Sequence, residues 1–502
     1  MWKNHFETLF NSVPQNDMES FVTNACGNIT VEHPDDLRIS PDNVKKCVSA
    51  LDNGKSQGPD NLAAEHYKFA DQRLLVLLAT CFSSMLMHGY MPKDAIVTTL
   101  VPIVKSTTGD ITDKGNYRPI ALATIFSKIM EKILLGMISD HLYTCDNQFG
   151  FKKGHGTDSC IFSLKEIVNY YHNLSSPVFI CFLDASKAFD RINHWRLFKK
   201  LIDRNIPLFI VRLIVYWYRH QVMNVRWGNA CSTPFLVQNG VKQGGILSPL
   251  FFSIYMDDLS IELNNSGIGC HFGNVPLNHF IYADDMSLVA PSVGGLQKLI
   301  RICERYALAH DVIYNIEKSV CMLVNSKKIK LTKNPVIELS GASLKYLDSF
   351  KYLGCFITSD LCDDSDIDRQ RRVLLCNANR ITRNFSRCSE DVKLLLFRTF
   401  CANMYGAHLW SNYKKAVFQK LKVSYHNALR WLCNLSRDCS ASGMLVTRNL
   451  PTVDALRRNY LSGFMLRLRK SNNVLLLTLI SSTQYWYFSG NLGPEVLDKL
   501  YV

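Results

Sequence analysis

The chain has 502 residues, 47% of them apolar and 20% charged, with a formal net charge of +14. Such length and apolar content support roughly two to four domains with a packed core, and exclude a disordered chain. The positive balance points to a polyanionic partner, nucleic acid before an anionic membrane.

The 17 cysteines form no Cys-x-x-Cys pair. Cys81, Cys181 and Cys303 sit in apolar runs and are expected to act as small buried hydrophobes in a reducing compartment. Cys433 and Cys439 come closest to a zinc-ligand spacing, and the signal is weak. Met1 to Phe10 mixes polar and apolar residues, without the apolar core of a signal peptide. The longest apolar run, Leu74 to Met91, follows Arg73 and contains Ser and Thr, so it reads as a buried helix rather than a membrane span.

In chain order, residues 1 to about 70 read as an N-terminal extension. Within it, Ser40-Pro41-Asp42 is an N-cap with proline at the first helical position, opening a helix to Leu51. Asn53 to Asp60 is a loop on its turn residues. A helix is expected over 71–88 and a strand from Ala95 to Val104. The polar stretch Lys105 to Asn116 follows, and Tyr117-Arg118-Pro119-Ile120 leads into a helical pattern ending near Tyr143. Pro177 starts a strand, Val178 to Leu183. Residues 195–220 are helical, two strands flank Gly228-Asn229, and Ser248-Pro249 opens an amphipathic helix to about Leu263. His279 to Val289 reads as a hairpin, 294–310 as a helix, and Val320 to Phe356 as a strand pair. From about 365 onward the pattern is helical and rich in Arg and Lys. The order is α+β, with strands in the middle of the chain.

Three segments carry candidate chemistry. In the first, the apolar run Phe179 to Leu183 enters Asp184 directly. Alone, this acid reads as the cap of a following helix. In the second, Asp284 and Asp285 interrupt the apolar alternation of the hairpin, where an ordinary solvated turn is the plain alternative. In the third, Gln243-Gly244-Gly245 precedes the helix that Ser248-Pro249 opens. Glycines there let a backbone approach a ligand, or simply serve a loop-to-helix cap.

Electrostatics favours a joint reading of the two acidic segments. Two carboxylates about 4 Å apart repel by roughly 4 kcal/mol at an effective dielectric near 20. Hard oxygen donors suit Mg²⁺, and two such ions about 4 Å apart clamp the attacking and leaving oxygens of a phosphoryl transfer. A strand-end acid and a hairpin acid pair suit that task if their strands are neighbours. Asp257-Asp258 is a second acidic pair, but it lies inside a helical pattern with Phe251, Ile254, Tyr255 and Leu259, so a structural or surface role is expected for it rather than a metal site.

Taken together, the segments resemble the palm motifs of reverse transcriptases, in particular those of non-LTR, LINE-type retrotransposons. Leu183-Asp184 with Lys187-Ala188-Phe189-Asp190 looks like motif A, Gln243-Gly244 with Ser248-Pro249 like motif B, and Tyr282-Ala283-Asp284-Asp285 like motif C. Asn315 to Ser319 resembles motif D, and Phe350 to Gly354 motif E. Val101 to Lys105, Asn116 to Ile120 and Gln148 to Thr157 resemble the fingers motifs of the LINE-type branch. The resemblance covers about residues 85–357.

This resemblance implies a right-hand architecture. Residues 71–176 would form fingers, 177–357 a palm with an antiparallel sheet, 358–445 a thumb-like helical domain and 446–502 a C-terminal helical segment. It implies two Mg²⁺ ions, or Mn²⁺ in their place, held by Asp184, Asp284, Asp285 and the Ala185 carbonyl. Lys105 and Arg118 would pair with the triphosphate, Phe189 would exclude a 2′-hydroxyl, and Gln243 and Gly244 would frame the nucleotide. Lys318 would donate a proton to pyrophosphate. The basic helices beyond 365, with Arg369, Arg371, Arg372, Arg380 and Arg383, would follow template–primer phosphates. The implied partners are an RNA template, a DNA primer and dNTPs, with no membrane.

The sequence departs from the family pattern at Gly245, where many relatives carry an acid. No endonuclease segment is recognisable ahead of the polymerase motifs, so the chain reads as the polymerase portion of a larger or truncated frame. Two rivals stand beside an active enzyme. One is a catalytically inactive RNA-binding relic with the same fold. The other is a group II intron maturase or telomerase-like enzyme.

Overall fold

The computed structural model describes residues 1–14, 18–27, 37–328, 331 and 333–482. The end of the C-terminal segment, from 483 onward, lies outside the described residues. The chain forms two compact units, each assembled from separate stretches: 1–151, 184–262 and 302–315 in the first, and 152–183, 263–301 and 316–502 in the second.

The first unit is built on a sheet in which strand Thr98–Val104 pairs antiparallel with Tyr117–Ala123 and parallel with Val222–Trp227. The short strands Ala230–Cys231 and Phe235–Leu236 pair antiparallel with Val222–Trp227. Helix Trp2–Leu9 covers one face, placing Phe6 and Leu9 with Leu100, Ala121, Met223 and Val225 in one apolar cluster. The N-terminal extension is thus part of this sheet's core. Helix Pro41–Ser49 starts as expected, with the Ser40 hydroxyl accepting from the Asn43 N–H. Helix Gln72–His88 buries Leu78, Phe82, Met85 and Leu86 but leaves Val76, Leu77 and Met87 largely exposed. It is one-faced rather than fully buried, and Cys81 on it is only half-buried. Among the described residues no helix is long and apolar enough to cross a membrane.

Some expected boundaries move. The strand expected from Ala95 begins at Thr98, after a helical turn over Lys93–Ile96. Tyr117 to Ala123 is a strand, not the entry to a helix: burial alternates along it, as period-two packing on a sheet requires. Helix Ile125–Ile138 starts only after Thr124, whose hydroxyl caps it. The 195–220 segment is two helices, His194–Asp203 and Leu208–Arg219, parted at Pro207.

The second unit carries the sheet Lys345–Tyr346, Val320–Val324, Val178–Asp184, Asp285–Ala290, His279–Tyr282, in that order. Residues 178–183 are all buried, which explains an unbroken apolar run instead of alternation. Val320–Val324 runs antiparallel to Val178–Asp184, and the 279–290 hairpin is antiparallel. The edge strand Lys345–Tyr346 is parallel to its neighbour, a departure from a wholly antiparallel sheet. The strand pair expected over 320–356 is several short strands, closing in the hairpin Ser349–Tyr352/Cys355–Thr358. Helix Thr157–Asn173, unforeseen in the sequence, packs against the C-terminal helices, with Phe162 edge-on to Phe464 at 5.6 Å. The helices between Asp364 and the start of Val453–Arg469 share one apolar core around Leu374, Phe397, Tyr425 and Leu429.

His279 is fully buried in the second unit, with Nδ1 2.7 Å from Asn278 Oδ1. Burial pushes its pKa from 6.5 down to about 3, so the folded protein holds it neutral. Its contribution to stability is therefore complete above the unfolded value of 6.5 and is lost as pH falls towards 3, because only the unfolded chain takes up the proton. At about pH 5 this costs about 2 kcal/mol. Urea midpoints of wild type and His279→Gln at about pH 7 and pH 5 check it. The wild type loses more stability than the variant, and parallel losses would mean His279 is not responsible.

Candidate active site

Asp184 is the last residue of its strand and half-buried. The strand next to it in the sheet opens on Asp285. Opposite pairing of Tyr282 with Asp285 leaves Ala283 and Asp284 as a two-residue turn. Ala283 adopts φ +59°, a left-handed conformation for which such turns prefer glycine or asparagine. An alanine there costs about 1–2 kcal/mol. Strain of this kind is kept where a tight turn presents functional groups, and this one leaves Asp284 and Asp285 exposed.

Beneath the hairpin the surroundings are apolar and aromatic. Tyr352 is buried, its hydroxyl 3.4 Å from both Cys160 Sγ and Ser287 Oγ. Burial pushes the Cys160 thiol up to about 12, and the negative charge of Asp285 adds to the rise. Phe182 stacks on Phe350 at 4.6 Å, tying the strand that ends in Asp184 to the 349–358 hairpin.

From Asp184 the chain belongs to the first unit, where it pairs with residues 313–315. The Ser186 N–H donates to the Ile313 carbonyl, and the Asn315 N–H donates to the Asp184 carbonyl, each at 2.8 Å. Ala185 sits opposite Tyr314 in this bridge. In such a pair the bonds run through the flanking residues, so the Ala185 carbonyl is directed away from 313–315. Motif A and motif D are thereby joined through backbone.

Arg118 is exposed and stands opposite Ile103 in the first unit's sheet. Lys105 is exposed just beyond the same strand, and its Nζ reaches the Gly115 carbonyl at 3.0 Å. Phe189 is half-buried and stacks on Phe252 at 4.6 Å. Gln243 donates from Nε2 to Asp190 Oδ1 at 2.7 Å. Gly244 has φ +117°, and a Cβ there would stand 3.0 Å from the Ala121 carbonyl oxygen, so glycine is required. Lys318 is exposed in the turn that precedes strand Val320–Val324.

The acidic pair inside the 248–265 helix has the structural role expected of it. Asp257 pairs with Arg204 at 2.6 Å and accepts from the Cys145 N–H, while Asp258 pairs with the buried Lys200. No local pattern points to these partners, which lie 53 to 112 residues away along the chain.

Among the described residues no group of three or more His, Cys, Asp or Glu side chains is arranged to hold a metal ion. The donors at 184, 284 and 285 are hard carboxylate oxygens all the same. Mg²⁺ is commonly held by one or two carboxylates, with waters and substrate phosphates completing its shell, rather than by a closed protein cage. The donor chemistry therefore fits such an ion.

Residues 103–357 match the family model described as reverse transcriptase (RNA-dependent DNA polymerase). The chain belongs to the reverse transcriptase family, and its fold class is that family's right-hand polymerase architecture. It is 24% identical over 474 residues to the probable RNA-directed DNA polymerase from transposon BS of Drosophila melanogaster, covering 88% of this chain and 50% of that protein. It is 24% identical over 410 residues to the RNA-directed DNA polymerase from mobile element jockey of Drosophila funebris, covering 78% and 43%. These names agree with the non-LTR branch read from the motifs. The chain spans about half the length of the curated relatives it matches. The solved structure of apo telomerase from Candida tropicalis aligns with 12% identity and a TM-score of 0.41, covering 86% of this chain and 74% of that one.

Proposed function

We propose that this chain is the polymerase portion of a non-LTR retrotransposon protein, extending a DNA primer with dNTPs on an RNA template. The reading is carried by the order of the second sheet, in which the strand ending in Asp184 neighbours the strand opening on Asp285. Family membership over 103–357 supports it.

On this reading 71–176 are fingers, 177–357 the palm, 358–445 the thumb and 446–502 a C-terminal helical segment. Polymerases of this family use divalent metal ions. Asp184, Asp284, Asp285 and the Ala185 carbonyl would hold two Mg²⁺, which when bound supply charge neutralisation at the attacking and leaving oxygens. The chain's own residues position the reactants. Arg118 offers a planar fork to the triphosphate and Lys105 a point charge. Phe189, braced by Phe252, closes the space a ribose 2′-hydroxyl needs. Gln243 and Gly244 frame the base and sugar, and Lys318 donates a proton to the departing pyrophosphate. Of the five arginines, Arg371, Arg372, Arg380 and Arg383 follow duplex phosphates, so binding weakens steeply with salt, whereas Arg369 is held by Asp366 and the Tyr405 carbonyl.

Primer extension by the purified protein tests this. A DNA primer annealed to RNA is extended with Mg²⁺ and not with EDTA. Salt-sensitive RNA binding with no extension under either condition is the result expected of an inactive relic, and it would overturn the proposal.

A further inference from the structure

A pair of opposite charges is buried beside the Gln243-Gly244 turn in the first unit. The side chains of Lys242 and Glu131 are 2% and 6% exposed, with Lys242 Nζ 3.8 Å from Glu131 Oε1. The other Glu131 oxygen accepts the Ile246 N–H. Lys242 Nζ also stands over the Trp217 indole, 4.3 Å from its centroid. Burial pushes the Lys242 ammonium down and Glu131 opposes that shift.

Such a pair is a poor way to gain stability. Desolvating two charges offsets their attraction, and well-packed apolar residues of similar volume often do as well or better. Its value must lie in what it holds. Glu131, on helix Ile125–Ile138, grips the turn on both sides of Gln243-Gly244-Gly245, through Lys242 before it and Ile246 after it. The Ala121 N–H fixes the Gln243 carbonyl at 2.8 Å, and Asp190 fixes the Gln243 side chain. A Cβ on Gly245 would lie 2.6 Å from Ser248 Oγ and 3.5 Å from Glu131 Oε1, so the turn is seated directly on the pair.

We propose that Glu131 and Lys242 are positioning residues that set the register of the Gln243-Gly244 turn and thereby the affinity for the incoming nucleotide. The inference rests on the reading of that turn as the nucleotide frame.

The test compares wild type, Glu131→Gln, and the double variant Glu131→Gln/Lys242→Met. The single variant strands a buried ammonium, so its Tm falls and its dNTP KM rises. The double variant removes both charges and recovers Tm. Its dNTP KM stays about 5–10-fold above wild type with kcat within about threefold. Hydrogen exchange at the 243–246 amides is about tenfold faster in the double variant, while strand Thr98–Val104 is unchanged. A double variant with wild-type KM and wild-type protection at 243–246 overturns the inference, as does a KM that merely follows Tm. A wild-type protein without any incorporation overturns the polymerase reading instead, and the exchange data still decide whether the pair anchors the turn.

Discussion

Asp284→Asn lowers the rate of Mg²⁺-dependent dNTP incorporation on the order of 10³-fold, equivalent to roughly 4 kcal/mol of barrier. The amide has the shape of the carboxylate but carries no charge, so it binds a hard divalent ion poorly. The side chain is exposed at a two-residue turn, so the change leaves the hairpin and the Tm intact. Asp258→Asn is the contrast. It removes the partner of buried Lys200, so it lowers stability while the single-turnover rate of the folded protein holds. Single-turnover primer extension with both variants separates a ligand from a structural acid. Equal rates for wild type and Asp284→Asn would show that the chemistry sits elsewhere.

Asp366→Ala destabilises the second unit by about 3–5 kcal/mol. The side chain is 3% exposed and accepts from Arg369 at 2.7 Å, from the Trp410 indole N–H at 2.8 Å and from the Phe356 N–H at 3.0 Å. It thus binds helix Asp364–Asn384 to the hairpin that carries motif E. Truncation leaves the Trp410 and Phe356 N–H donors without this acceptor and removes the carboxylate from a mostly buried guanidinium that keeps only neutral acceptors, and those groups dominate the loss. Asp368, two residues on, is 38% exposed and pairs with Arg371 and Arg372 in solvent. Its alanine variant changes stability by about 0.5 kcal/mol or less. Urea denaturation of the full chain measures both. Matching midpoints for the two variants would rule out the buried network as a strong tie.

The candidate site was legible because its residues break local patterns. Asp184 ends an apolar strand, and Asp284-Asp285 interrupts an alternating one. The decoy at 257–258 could be set aside because helical spacing enclosed it. Strand Tyr117–Ala123 was not legible as a strand because Pro119 and the apolar residues beyond it merged into the pattern of the next helix. Its partner, Thr98–Val104, settles the matter only in three dimensions. Helix Thr157–Asn173 was hidden behind the glycine-rich approach at 150–156, which reads as a loop. The buried anchors were out of reach for a different reason. Glu131 and Lys242, like Asp366 and Trp410, are ordinary residues until distant partners meet, and nothing local announces such a meeting.

The chain passes between the two units at residues 151, 183, 262, 301 and 315. One implication concerns inheritance. A single recombination within that stretch mixes parental segments inside both units, so each unit's core must then pack residues from two parents. Crossovers before or after it divide one unit only, so this stretch is expected to be inherited as a block more often than the rest of the chain.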